Sequence, residues 1–523
     1  MAIGSRLDRR AFLKSATLGA TSLAVGASGC GRHTTCRPAP PDAGSPPDRD
    51  ASVDAGAAFD SAADQNTADT VSLRPPNVLF ILADQWRAQA TGFAGDPNVR
   101  TPALDRLAGE SVTFAHAVSC TPVCSPYRAT LTTGRYPTST GVFVNDVNLA
   151  QDPHSFARML GEAGYETGYI GKWHMDGQGS RSAYTPPERR QGFDGWAAIE
   201  CTHNYDDSVY YAGDDGVDRL TWPGYDAIAQ TREMQRWLTE RDSSKPFFYF
   251  LSWGPPHDPY TTAPANFFAP NPTAITLRPN VPADAADQAR EDLAGYYAHI
   301  AALDSCVADL LGTLDALGIA DDTIVVFTSD HGDMHGSQGQ WFKQQPWDES
   351  ILVPFLLRYP ARLGRAARTL PMQISTPDIM PTLLGLAGRS VSENPSLQGR
   401  DLSPVLRQEQ MPDDTPALIM CVWPFASWCA ASGGKEYRGL RNGRFTYVRD
   451  LAGPWLLYDN VLDPYQMSNL VGASGYADVQ AGLDAQLLAK LSAIGDAFHP
   501  GGWYLSQWGY TVDPDSGAVP YTD

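Results

Sequence analysis

An α/β fold built on a large, mainly parallel sheet is predicted by three observations: continuous apolar runs that end in polar residues, helical periodicity between those runs, and chemistry-bearing side chains gathered where the runs end. The first run is Asn77–Asp84 (NVLFILAD), which has no apolar/polar alternation and so reads as a strand buried on both faces. Further strands are expected over 166–173, 246–253, 323–330 and 354–359. Between them, Thr101 before Pro102 has the form of a helix cap, and Phe156, Met159 and Leu160 have helical spacing within 154–164. A long helix over about 285–317 places Leu293, Tyr297, Ile300, Leu303, Val307, Leu311 and Leu314 on one stripe, which is core packing rather than a site.

The chain of 523 residues is 43% hydrophobic and 10% aromatic, enough for a large core. A formal charge of -20 argues against a nucleic-acid partner, which would need basic patches to neutralise phosphates. It leaves room for a locally basic pocket that takes an anion.

The N-terminus reads as an export signal. Arg9, Arg10, Ala11, Phe12, Leu13 and Lys14 look like a twin-arginine motif, followed by a mild apolar stretch over 16–27 that is too short to span a bilayer. Ala27, Ser28, Gly29 and Cys30 resemble a bacterial lipobox, so residues 1–30 are expected to direct the chain to the periplasm or cell surface, with lipid at Cys30 as the only tie to a membrane. Residues 31–76 are rich in Ala, Asp, Pro, Ser and Gly and offer almost nothing to bury, which predicts a disordered spacer. Of the eight cysteines, Cys36, Cys120, Cys201, Cys306, Cys421 and Cys429 have no pairing that sequence can assign, and export permits disulfides.

Ligands of open α/β sheets bind outside the carboxyl ends of the strands, and Asp84, Lys172, His174, His257, Asp330 and His331 all follow candidate strands. Asp84, Gln85 and Asp330 offer oxygen donors that suit a hard divalent cation, although a lone Asp in such a place is as well explained by a helix cap. Lys172 and His174 are two apart, which on an extended segment puts both on one face; alone, such a pair is ordinarily a solvated edge.

Cys124 opens CSPYRATLTTG, with Pro126, Arg128, Thr133 and Gly134 at the positions of the CxPxR signature of type I sulfatases. Gly171, Lys172, Trp173 and His174 resemble a second motif of that family, TSDHGD around Asp330 and His331 a third, and His257 in PPHDPY and Lys343 in GQWFKQQPWDES two more of its segments. From about Asn77 onward the chain is similar to type I sulfatases of the alkaline-phosphatase-like superfamily. The resemblance implies a catalytic domain over 77–430 with a large, mainly parallel sheet sandwiched by helices. Beyond about Glu436, short antiparallel strands with turns at Asn442-Gly443 and Asp463-Pro464 point to a smaller C-terminal α+β subdomain, 431–523.

It also implies the chemistry. Cys124 would be oxidised to formylglycine (3-oxoalanine) by a cytoplasmic formylglycine-generating enzyme, and the aldehyde hydrate would attack sulfur and then expel sulfate by losing the proton of its second hydroxyl. Asp84, Gln85, residue 124, Asp330 and His331 would hold one divalent metal ion, with Ca2+ ahead of Mg2+ or Mn2+. Arg128 and Lys172 would anchor the hydrate and sulfate, His174 would act as base, His257 would meet the leaving oxygen, and Lys343 would be a second substrate lysine.

Two departures stand out: Gln85 replaces a second Asp and removes a negative charge, and Tyr127 replaces a commoner Ser. The expected substrate is a sulfate ester or sulfamate, on a small molecule or a glycan, with choice of sugar assigned to loops such as 202–223. A phosphonate or phosphate ester hydrolase of the same superfamily stays open, as does a non-catalytic lipoprotein that binds sulfated glycans.

Overall fold

The computed structural model describes residues 74–214 and 219–521. The twin-arginine segment, Cys30, Cys36 and the polar stretch up to residue 73 lie outside the described residues. Ser72–Asp523 form one compact unit.

Among the described residues, fifteen strands fall into two sheets. The large sheet takes β1 (Asn77–Asp84), β2 (Val112–Val118), β3 (Glu166–Lys172), β4 (Gly195–Ile199), β5 (Val209–Ala212), β6 (Arg219–Thr221), β7 (Phe247–Pro256), β8 (Thr323–Ser329), β9 (Leu352–Val353), β10 (Phe355–Arg358) and β11 (Arg368–Ser375). Its order is β11-β2-β10-β8-β1-β7-β3-β4-β5-β6, with β9 on β2. The centre is parallel: β1 pairs with β7 and β8, and β3 with β7 and β4. Strand β10 runs antiparallel between β8 and β2, and β5 and β6 close one edge as an antiparallel hairpin.

Strand β1 shows why its sequence is uniformly apolar. Val78, Phe80 and Leu82 enter one core and Leu79, Ile81 and Ala83 the other, because the period of two sends alternate side chains to opposite, equally covered faces. The first face is covered by helices α1 (Cys124–Thr133) and α4 (Thr376–Leu386), the second by α2 (Asp226–Glu240) and α3 (Ala286–Ala316). All seven stripe residues of α3 are buried, as core packing requires.

Thr101 does stand before the helix Pro102–Ala108, but its hydroxyl does not cap it. That oxygen accepts from the Gly92 N–H and donates to Asp105, and the helix's free N–H groups at Ala103 and Leu104 donate instead to the Asp304 carboxylate on α3 at 3.0 and 2.9 Å. Helix α1 begins at Cys124 itself, with Val123 extended before it.

The second sheet is antiparallel, in the order β12 (Ala417–Cys421), β13 (Tyr437–Arg441), β14 (Phe445–Asp450), β15 (Gly453–Asp459), and helices α5 (Ala477–Ala493) and α6 (Gly501–Trp508) follow it. It is tied to the large sheet's loops by a buried bidentate pair, Arg441 to Asp348, with both N···O distances 3.0 Å. The six cysteines among the described residues are all free thiols. No helix there is long and apolar enough to cross a membrane.

Candidate active site

The candidate site residues gather at one place, the carboxyl edge of the parallel strands. Asp84 ends β1, Lys172 ends β3, His257 follows β7, and Asp330 and His331 follow β8. Cys124 enters from the first turn of α1, where unpaired backbone N–H groups favour negative charge.

Around the Cys124 Sγ stand His331 Nε2 and Lys343 Nζ, each at 3.3 Å, and Asp84 Oδ1 and Lys172 Nζ, each at 3.7 Å. Burial raises the pKa of this thiol, but the ammonium groups of Lys172 and Lys343 and the His331 ring outweigh it and hold the pKa well below the usual thiol value. The same two-sided balance governs Asp84: burial and the Cys124 sulfur push its carboxyl up, and Lys172, His257 and Arg128 together hold it well below the carboxylate range. Burial and Asp84 push Asp330 up.

Arg128 is the hub of the charge network. Its Nη2 donates to Asp84 Oδ2 at 3.0 Å and to Asp330 Oδ2 at 3.2 Å, and its Nη1 donates to Ser252 Oγ at 2.6 Å and the Lys172 carbonyl at 2.8 Å. Lys172 Nζ adds a 2.7 Å bond to Asp84 Oδ2. Two cations thus lie against two fully buried carboxylates.

Lys172 and His174 do converge, but alternation along a strand is not the reason. Strand β3 ends at Lys172, Gly171 has φ +101°, and His174 has φ 57°, so the chain turns between them. Gly171 cannot be replaced cheaply, because a Cβ there would lie 2.0 Å from the Ser252 carbonyl oxygen. His174 Nε2 bonds Asp146 Oδ1 at 2.8 Å, and Arg181 Nη2 donates to the other Asp146 oxygen at 2.8 Å. Burial lowers the His174 pKa, yet Cys201, Asp146 and Cys124 raise it well above the usual histidine value. Nδ1 of this ring has no hydrogen-bond partner.

His257 Nε2 meets Lys343 Nζ at 2.6 Å, and its Nδ1 lies 3.0 Å from Asp258 Oδ1. Burial and Lys343 pull the His257 pKa down; Asp258 and Asp84 push harder, and it rises to about 9. Gln85, at φ 67°, donates its Nε2 to Asp333 at 2.8 Å and to Tyr260 at 3.1 Å, which turns its Oε1 toward Lys343 Nζ at 3.1 Å.

Asp146, Asp258, Asp333 and Tyr260 were not among the sequence-derived candidates. Asp258 adjoins His257 and could have been suspected on that ground; Asp146 lies in a loop with no motif. The pocket is about 250 Å3, and its wall also takes Asn145, Arg181, Phe425 and Ala518. Of the described residues of the loop 202–223 it takes His203.

A family model described as Sulfatase matches residues 76–389, and one described as N-sulphoglucosamine sulphohydrolase, C-terminal, matches 336–493. An ulvan-active sulfatase of Formosa agariphila is 43% identical over 450 residues, 85% of this chain and 87% of the relative. The chain belongs to the sulfatase family. This sulfatase is also 31% identical over 451 residues, 76% of its chain and 88% of the relative, to an endo-4-O-sulfatase of Bacteroides thetaiotaomicron. Among solved structures, a putative sulfatase of Bacteroides fragilis superposes with a TM-score of 0.72 at 29% identity, covering 82% of this chain and 97% of the other. The mostly parallel sheet with its C-terminal sheet is thus the alkaline-phosphatase-like fold, and the enzyme is a sulfuric ester hydrolase.

The sulfatase's donor set fits a divalent cation. Asp84, Cys124, Asp330 and His331 each place a ligand atom within 4.8 Å of the others, all four buried, and two of them are carboxylates. The oriented Gln85 Oε1 adds a further oxygen donor beside Lys343 and Cys124.

Proposed function

We propose that this sulfatase is exported and hydrolyses a sulfate ester or sulfamate on a carbohydrate, with residue 124 acting after conversion to formylglycine. A divalent cation, calcium foremost, would be held by Asp84, Gln85, Asp330 and His331 beside residue 124. The observation that carries this reading is the convergence of Lys172, Lys343, His331 and Asp84 on Cys124 Sγ within 3.7 Å. Lys172 already pairs with Asp84, and Lys343 with Gln85 and His257, yet both ammonium groups also face residue 124, which suits the anionic oxygens of a sulfate group held there. When present, the hydrate supplies the nucleophilic oxygen and the cation offsets the charge of the sulfate oxygens.

The chain's own side chains do the rest. Lys172 and Lys343 neutralise the incoming anion at fixed positions, so little reorganisation is needed as charge moves. His257, kept protonated at neutral pH by its raised pKa, gives the Nε2 proton to the leaving oxygen, while Nδ1–H donates to Asp258 and fixes the ring. His174 is left with Nδ1 to take a proton in the step that releases sulfate, since Asp146 occupies Nε2. Arg128 anchors the group at residue 124 and keeps Asp84 and Asp330 from repelling each other. A lipoprotein that only bound sulfated glycans would give these aligned proton carriers no task.

A carbohydrate substrate is supported by the relatives, one named for ulvan and one as an endo-4-O-sulfatase. The test is sulfate release from a panel of sulfated polysaccharides, ulvan included. Release by the parent and none by Cys124→Ala supports the reading; equal release by both rejects residue 124 as nucleophile. Export is tested separately: Arg9→Lys with Arg10→Lys would leave active enzyme inside the cell, and Cys30→Ala would release it in soluble form after export.

A further inference from the structure

Beside the catalytic pocket runs a second, larger hollow of about 770 Å3 between the start of α3 and the loop that carries Lys343. Asp258 and Phe342 line both spaces, so the two share a wall one residue from His257 on one side and one from Lys343 on the other. The balance of charge changes across that wall. The catalytic pocket sets Lys172, Lys343 and Arg181 against Asp146 and the shared Asp258, whereas the groove adds Glu291 and Asp292 to Asp258 and has no Lys, Arg or His among its described lining residues.

The groove is also built. Asp292 accepts from the Trp341 indole N–H at 3.3 Å and from Gln288 Nε2 at 2.8 Å, which fixes the orientation of the half-buried Trp341 ring. Tyr260 faces the same space, its hydroxyl already bonded to Asp333 beneath. The loop that brings Trp341 and Phe342 here holds His335, Gln338, Phe342 and Gln344 at φ of 42°, 56°, 63° and 80°. Residues kept in the left-handed region at this density are maintained by surroundings that over-determine them, and such strain gathers at binding sites.

We infer that this groove is a second sugar subsite, which takes an uncharged sugar residue joined to the sulfated residue in the catalytic pocket. The inference rests on the carbohydrate reading of the pocket and specifies its substrate further. A flat apolar sugar face can lie against a fixed indole while its hydroxyls donate to Glu291 and Asp258. A sulfate or carboxylate on that neighbouring residue would face three carboxylates at close range, and the repulsion would exclude it. The sulfatase would therefore read a pattern, one anionic unit beside one neutral unit, rather than overall sulfate density.

The test is binding of neutral glycans, which needs no turnover. Cys124→Ala protein is titrated with unsulfated galacto-, gluco-, xylo- and manno-oligosaccharides and with oligogalacturonate, and saturation transfer from the protein's aromatic protons is read by NMR. Saturable transfer to at least one neutral series is expected, with oligogalacturonate weaker by about tenfold or more, a difference worth ~1.4 kcal/mol. Trp341→Ala on the same background should abolish it. Glu291→Lys, an exposed change that leaves Trp341 and the Lys343 loop alone, removes one hydroxyl acceptor and one negative charge, so it should weaken neutral binding while raising oligogalacturonate affinity by about tenfold. Absence of binding by every neutral series, or binding that neither variant alters, overturns the subsite. Failure of sulfate release from polysaccharides would reject the carbohydrate sulfatase reading instead, and the NMR result stands apart from it.

Discussion

Replacing Asp146 by Asn should move the pH profile of turnover in a direction set by the structure. The Asp146 carboxylate is buried, lies 2.8 Å from His174 Nε2, and is among the groups that raise that ring's pKa well above its ordinary value. Asn preserves shape and hydrogen-bonding capacity but removes the charge, and it leaves the Arg181 guanidinium, now uncompensated, near the imidazole. A unit charge about 4 Å away at an effective dielectric of 20 to 40 is worth roughly 2–4 kcal/mol, so the His174 pKa should fall by about 1.5 units or more.

The sign follows from the role. A base works only above its pKa, so the parent's kcat should fall on the acid side as His174 becomes protonated. In Asp146→Asn that acid limb should shift to lower pH by about 1.5 units. The plateau should drop roughly tenfold because a less basic imidazole accepts a proton less readily. The assay is kcat against pH from 5 to 9 on a chromogenic aryl sulfate, with circular dichroism to show that the fold is kept. An acid limb that stays in place, whatever happens to the plateau, would show that His174 is not the base whose charge state Asp146 sets.

Gln344 clamps the Lys343 loop to the C-terminal part of the chain, since its side chain accepts from the Phe425 N–H and donates to the Phe425 carbonyl while its own carbonyl takes the Tyr437 hydroxyl. Gln344→Ala should leave these buried backbone groups unpaired, at about 1–3 kcal/mol, and raise KM more than it lowers kcat in the same aryl sulfate assay. Chelation should abolish activity and added calcium restore it, with isothermal titration giving about one ion per chain; full activity in a preparation shown by elemental analysis to be metal-free would reject the Asp84–Asp330 site. Asp226 is buried and burial pushes its pKa up to about 7 from 3.8, so folding takes up a proton between those values and stability falls as pH rises through that window. Urea unfolding of Asp226→Asn should lack that slope, which approaches ~1.4 kcal/mol per pH unit in the parent.

The central strands were legible because burial on both faces leaves a continuous apolar run: β1, β3, β8 and β10 fall within one residue of the sequence-derived limits, and β7 runs three residues further. The direction of β10 was not legible, since an apolar run carries no record of strand polarity. Strands β4 to β6 and β11 are short, partly exposed or mixed in composition, and their pattern is that of a loop. The same division holds in the site. Residues bound to a strand end or a motif could be named in advance, because the strand's geometry dictates where they go. Asp146, Arg181 and the pocket wall at Phe425 and Ala518 come from segments far apart in sequence, brought together only by the fold. Lys172 and His174 do line one pocket, but the turn at Gly171, not alternation along a strand, brings them there.

The measurement that bears most directly on residue 124 is the mass of the tryptic peptide 107–128, which ends at Arg128, from enzyme co-produced with a formylglycine-generating enzyme. The account predicts a peptide lighter by about 18 Da than the cysteine form, the change from thiol to aldehyde, with sulfate release across preparations proportional to the converted fraction. Full turnover by protein in which residue 124 is entirely cysteine would contradict it.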